Sequence, residues 1–60
     1  MTPADFVEAL EAELRFRVVS YDRRALQAFV EGAWSLMEED PDAAFWAREF
    51  IAAGNATVTA

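Results

Sequence analysis

The sequence predicts an all-α fold, a compact three-helix bundle with short connections, in which residues 1–60 form a single domain. Apolar residues recur at helical spacing in three segments, and each segment follows a helix-start signature. Thirteen of the sixty residues are alanine, which favours helix, and a chain this short holds one domain at most. The helices are expected near 3–17, 22–39 and 41–53, followed by an irregular tail over 55–60.

The first helix starts with a hydroxyl cap, a proline and an acid. Thr2 precedes Pro3, and Asp5 stands three residues after the cap, where it completes a capping box. One face then carries an apolar stripe of Phe6, Val7, Leu10, Leu14 and Val18. The opposite face carries Glu8, Glu11, Ala12 and Arg15. No glycine follows to form a left-handed C-cap, so the end near Arg17 has no clear stop signal.

The second helix is expected to be the central one of the bundle. Asp22 is its natural N-cap, with Ser20 as the alternative. Its apolar side chains cover about half of the helix circumference, which is more than one partner helix needs. They are Leu26, Phe29, Val30, Ala33, Trp34, Leu36 and Met37.

The third helix follows the acidic segment EEDPDAAFWAREF. Asp40 is predicted to cap it, Pro41 to take the first helical position, and Asp42 to lie near the positive end of the helix dipole. Gly54 with Asn55 is a typical stop signal. One face carries Ala43, Trp46, Ala47, Phe50, Ile51 and Ala53.

Together these faces predict the core of the bundle. Trp34 and Trp46 are expected to share one of its layers, since both lie on apolar arcs. The predicted core consists of Phe6, Leu10, Leu14, Leu26, Phe29, Val30, Ala33, Met37, Trp46, Ala47 and Phe50.

The junction LMEEDPDAAFW resembles the boundary between two tetratricopeptide repeats, where an Asp-Pro turn is followed by an alanine and an aromatic residue. The resemblance covers about eleven residues and lacks the rest of the repeat pattern. A stable array needs about three repeats, and sixty residues hold fewer than two. A tetratricopeptide-like helical fragment is therefore only a lesser alternative, and it implies no functional residues.

The residue types argue against catalysis and against bound cofactors. The chain has no His, Cys or Lys, so the usual proton carriers, nucleophile activators and zinc ligands are missing. The acids Glu38, Glu39, Asp40 and Asp42 offer oxygen ligands, but their spacing is not that of a calcium loop. We therefore expect no enzyme activity, no cofactor and no metal site, and interpret the acids as a solvated helix end.

Two adjacent arginines open the second helix. Arg23 and Arg24 follow Asp22 directly, and they suit either an anion clamp or a surface pair, with acids of the first helix or with Gln27 and Glu31 nearby. The ion pair is the favoured interpretation.

The charge of the chain limits the classes of partner. The net charge is −6, and nucleic acids and anionic membranes are bound through basic side chains. The first residues lack the basic and apolar segments of a signal peptide, and no window holds ~20 consecutive apolar residues. We expect a soluble, cytoplasmic protein that binds neither nucleic acid nor membrane.

The apolar content exceeds what three short helices enclose, which predicts an interaction surface. Phe16 and Phe45 fall outside the core stripes, and Leu36 and Trp34 lie at the outer edges of the second helix. We expect a protein-interaction or structural module that binds another protein or itself as a homo-oligomer. Alternatively, Phe16 covers Tyr21 and Phe45 covers the turn near Leu36.

Two further alternatives concern the whole chain. One is a self-sufficient monomeric bundle, natural or designed, that has no binding role. The other is an acidic decoy for a nucleic-acid groove, which would need its acids on one continuous face.

Overall fold

The structure, a computed structural model, describes residues 1–58 of the chain. Six elements follow one another: α1 (Pro3–Phe16), β1 (Val19–Tyr21), α2 (Arg23–Gly32), α3 (Trp34–Glu39), α4 (Ala43–Ala52) and β2 (Ala56–Val58). The fold is mostly helical, in coarse agreement with the predicted class. The three-helix bundle is not confirmed, because the described residues form four helices and a two-stranded sheet.

The helix α1 begins at the predicted capping box. The Thr2 hydroxyl accepts a hydrogen bond from the Asp5 N–H at 3.2 Å, and the Asp5 carboxylate accepts one from the Thr2 N–H at 3.1 Å. This backbone donor lowers the pKa of Asp5. At the other end, Arg17 is the C-cap and Val18 takes a left-handed conformation with φ of 54°. The left-handed position that follows the C-cap, where glycine is usual, is thus occupied by valine.

The predicted second helix is interrupted, which corrects the span of 22–39. Asp22 caps α2 as predicted, because its side chain accepts a hydrogen bond from the Arg24 N–H. The helix ends at Gly32, the poorest helix former in the segment, and Ala33 at φ −116° and ψ 16° separates it from α3. Ala33 is therefore the residue at which the predicted helix is interrupted.

The last helix begins two residues later than predicted. Its N-cap is Asp42, whose side chain accepts from the Phe45 N–H at 3.1 Å, and Pro41 lies in the connection. Asp40 is not available as an N-cap because it is the C-cap of α3, with its N–H bonded to the Leu36 carbonyl. The Asp40 carbonyl also accepts from the Trp46 indole at 3.0 Å.

The segment after α4 is a strand, which corrects the irregular tail predicted over 55–60; residues 59–60 lie outside the described residues. Gly54, at φ of 84°, reverses the chain. The Gly54 N–H donates to the Ile51 carbonyl and the Asn55 N–H donates to the Phe50 carbonyl, and these two hydrogen bonds form a Schellman motif. β2 then pairs antiparallel with β1, the two strands placing Tyr21 opposite Ala56. Both strands contain the β-branched or aromatic residues that favour strand.

The directions of the helices follow from these contacts. Glu11 of α1 lies 3.8 Å from Arg23 at the start of α2, and Pro3 lines the same groove as Glu31 near the end of α2, so α1 and α2 are antiparallel. The strands that follow α1 and α4 pair with each other, so the carboxyl ends of these two helices are adjacent. The Cα atoms span 31 × 17 × 17 Å.

The core lies between α1, α2, α3 and α4. Three predicted core residues, Phe29, Ala33 and Trp46, are only partly buried and pack at its edge. The buried residues are Phe6, Val7, Leu10, Leu14, Leu26, Val30, Met37, Ala47 and Phe50.

Candidate functional site

Three of the four predicted interface residues are exposed. The exposed fraction is 84% for Phe16, 59% for Leu36 and 40% for Phe45. Trp34 is different, because it is partly buried and its ring lies 5.8 Å from that of Phe6. Trp34 therefore belongs to the edge of the core rather than to an open surface.

The structure does not bring the exposed residues together on one face. Phe16 ends α1, beside the strands and the carboxyl end of α4. Phe45 is the third residue of α4, about 10 Å of helix rise from that carboxyl end. Leu36 lies on α3, which connects to the amino end of α4. The predicted surface is thus divided between the two ends of an elongated molecule.

One of these ends, here called the strand end, consists of Phe16, Val18 and the two strands. The large exposed fraction of Phe16 shows that the segment after α1 does not cover it, contrary to the alternative considered from sequence. The charged side chains around this end have a small cationic excess: segment 11–24, which includes the Glu11 that contacts Tyr21 and Arg23, contains four arginines and three acids, a net charge of +1. Of these arginines, Arg17, the C-cap of α1, pairs with Glu13 one turn earlier.

The opposite end, here called the acidic end, consists of Leu36, Phe45 and four acids that lie on and beside the α3–α4 connection. All four acids are exposed, and among residues 1–58 no arginine lies within ion-pair distance of them. They are Glu38, Glu39, Asp40 and Asp42. The segment from 38 to 42 therefore has a net charge of −4.

Phe45 is fixed in position by a row of aromatic rings. It contacts Trp46 edge to face at 5.1 Å, Trp46 lies 6.4 Å from Phe29, and Phe29 lies 5.2 Å from the buried Phe50. Trp46 also donates to the Asp40 carbonyl, so Phe45 packs against a side chain that is held at the α3–α4 connection. It nevertheless stays partly exposed. Trp34 and Trp46 both pack against the buried core, and their ring contacts are with different phenylalanines, Phe6 for Trp34 and Phe29 for Trp46.

The polar contact that sequence reasoning missed is centred on Glu11. This side chain was placed on the outward face of the first helix, yet it is only 13% exposed. It accepts a hydrogen bond from the Tyr21 hydroxyl at 2.8 Å. Burial, followed by this bond, raises the pKa of Tyr21. The helical projection could not show the contact because it depends on where β1 returns.

Glu11 also forms the ion pair predicted for the two arginines. Arg23 approaches it at 3.8 Å, as expected for a surface pair with an acid of the first helix. Arg23 remains largely exposed, so the pair contributes little to stability.

The remaining features of the described residues include two surface grooves and the exposed acids. Residues 1–58 contain no group of three acids placed to hold a metal ion. A groove of about 430 Å³ runs between α1 and α2, and a smaller one of about 220 Å³ lies beside Met1 and Trp34. No helix within this part of the chain is both long and apolar enough to cross a bilayer. The larger groove is lined by Pro3, Ala4, Val7, Arg23, Gln27 and Glu31.

Comparison of the chain with protein-family models, with curated proteins and with solved structures gives no match.

Proposed function

We propose that this chain is a small helical interaction module, which binds another protein or another copy of itself through apolar side chains outside its core. The observation that carries the proposal is the exposure of Phe16, Leu36 and Phe45 around a core that is complete without them. Full burial of an initially exposed Phe or Leu side chain contributes about 1.5 to 3 kcal/mol, and the contribution is smaller for Phe45, which is already more than half buried. A sixty-residue domain buries too little surface to be strongly stable alone, so association also supports its folding.

The proposal includes the absence of catalysis. With no His, Cys or Lys, the larger groove offers only the side chains of Arg23, Gln27 and Glu31 as polar groups. Arg and Gln are not general acids or bases, and a carboxylate that acts as one is usually buried in its site, whereas Glu31 is exposed. The proposed partners are proteins and not nucleic acids or membranes, because the net charge of −6 repels phosphate groups.

The acidic decoy is less well supported than a general interaction module. A decoy of a nucleic-acid groove needs its charges on one continuous face. The eleven acids lie on α1, α2, α3, α4 and the connections between them.

Sedimentation equilibrium over a hundredfold range of concentration tests self-association. We expect the average mass of the wild type to rise with concentration, and Phe45→Asp to reduce this rise because it places a charge in the apolar contact. Ala28→Asp, at an exposed position in the middle of α2, is the matched control for the added charge.

A constant monomer mass, together with a melting temperature that does not depend on concentration, would reject self-association. Binding to a different protein is then tested by placing a photo-reactive phenylalanine analogue at position 16 or 45, with position 28 as the control. If neither position cross-links to a second protein more than the control does, the chain is a monomeric domain without a binding role.

A further inference from the structure

The two ends of the molecule are complementary in both charge and apolar character. The strand end carries the exposed Phe16 within a segment, residues 11–24, of net charge +1. The acidic end carries Leu36 and Phe45 beside a segment of net charge −4. Opposite charge around apolar side chains favours contact between unlike ends.

We infer that copies of this chain associate head to tail, with the strand end of one copy against the acidic end of the next. The inference rests on the proposed function and names the partner as a second copy. A two-fold dimer through either end would bring like charges together, four acids against four acids at one end and an arginine excess against its equal at the other. Only the contact of unlike ends pairs charges of opposite sign. Such a contact uses different surfaces on each copy, so it extends into chains unless it closes into a ring.

The size of the ends indicates a weak contact. The Cα atoms span 17 × 17 Å across the long axis, a cross-section of roughly 290 Å², whereas a standard stable interface buries roughly 800 Å² per partner. Association is therefore expected only at high protein concentration, with rapid exchange between copies.

Salt is expected to weaken the contact. The Debye length falls from about 8 Å at physiological ionic strength to about 3 Å at 1 M, which screens the attraction between exposed arginines and acids. The overall charge of −6 also produces repulsion between copies at very low salt. Head-to-tail association should thus be weaker at 1 M salt than at physiological ionic strength.

Mixing two variants tests the inference directly. Phe16→Asp damages the strand end and keeps the acidic end, whereas Phe45→Asp does the reverse. We expect each variant alone to remain monomeric at concentrations where the wild type forms species larger than a dimer. An equimolar mixture should form a dimer and nothing larger, because it contains one intact contact per pair. Sedimentation equilibrium measures all three samples.

Two controls keep the result interpretable. Ala28→Asp adds the same charge away from both ends and should associate as the wild type does. Leu36→Asp, at a more exposed position than Phe45, repeats the test of the acidic end in case Phe45→Asp disturbs the aromatic row. Far-UV circular dichroism checks that each variant keeps its helices.

Three results would overturn the inference. A variant that dimerises alone would indicate a two-fold contact, and the proposed function would stand. A mixture that stays monomeric while the wild type associates would show that the two ends do not bind each other. A wild type that is monomeric throughout would leave the proposed function to the cross-linking experiment, which detects a different protein at the same positions.

Discussion

Val18 is the most strained residue identified in the described part of the chain. Its φ of 54° is left-handed, a conformation that a β-branched residue rarely adopts because its side chain crowds the backbone. The conformation ends α1, with the Val18 N–H bonded to the Arg15 carbonyl at 3.1 Å, and it lets β1 begin at the next residue. The side chain is more than half exposed and contributes little to the core.

We predict that Val18→Gly stabilises the protein. Relief of the left-handed strain is worth about 1 to 2 kcal/mol, and the greater freedom of glycine in the unfolded chain removes about 0.4 to 1 kcal/mol of this gain. The net increase in the free energy of unfolding should be about 0.5 to 1 kcal/mol, measured by urea unfolding. Val18→Ala should give a smaller gain, because alanine keeps a Cβ. A loss of stability in the glycine variant would show that the valine side chain stabilises the strand end.

Tyr21 connects the first strand to α1 through a charged acceptor. Its hydroxyl donates to Glu11, and partial burial together with this bond raises the pKa of Tyr21 above its usual value of about 10. The folded state therefore holds the phenolic proton more strongly than the unfolded state does. The resulting stabilisation is fully present below the unfolded pKa and is lost as the pH rises through the folded pKa.

We predict an alkaline loss of stability that depends on this one residue. The free energy of unfolding of the wild type should fall as the pH rises above about 10, and Tyr21→Phe should lose that part of the pH dependence. At pH 7 the variant should be less stable by about 1 kcal/mol, the usual value of one hydrogen bond. Because the chain has a single tyrosine, the ultraviolet absorbance of tyrosinate measures its pKa directly. A pKa at or below 10 would contradict the bond to Glu11.

At the scale of elements, the end of α4 controls whether β2 reaches β1. The Schellman motif requires the positive φ of Gly54, and an added Cβ would strain this backbone although it meets no atom within 4 Å. Gly32 provides a contrast, because it ends α2 without a positive φ and also has open space around it.

We predict opposite effects of the same substitution at the two glycines. Gly54→Ala should lower the free energy of unfolding by about 1 kcal/mol, since alanine is strained at positive φ. Gly32→Ala should raise it by about 0.5 to 1 kcal/mol, because alanine is the better helix former. Thermal unfolding of both variants measures the difference. Equal effects at the two positions would show that the turn after α4 does not depend on the glycine.

At the scale of the whole molecule, features set by neighbouring residues are predicted from the sequence better than features that depend on contacts between distant residues. The caps at Thr2 and Asp22 depend on a few neighbouring residues, so the sequence is enough to locate them. Helical periodicity likewise predicts that Phe16 and Phe45 lie outside the core. The strand pair was missed because three-residue segments carry almost no signal until their partner is known.

The same limit explains what was missed about the candidate site. Helical periodicity fixes which side of a helix a residue occupies, but the helix directions decide which end of the molecule it reaches. Phe16 and Phe45 were therefore combined into one surface, although they lie at opposite ends. The interruption at Ala33 was also missed, since the apolar pattern continues through it.

The pairing of β1 with β2 also affects the order in which the molecule folds and opens. Tyr21 and Ala56 face each other although they are about 35 positions apart in the chain, and closing a loop of that length costs about 3 kcal/mol of entropy. Helices form from local contacts within about a microsecond, so the strands are expected to join last and to separate first. In amide hydrogen exchange, the hydrogen-bonded N–H groups of the β1–β2 strand pair should exchange faster than those of Leu10 and Leu14. A second copy bound at the strand end would then slow amide exchange in the β1–β2 strand pair more than in the helices.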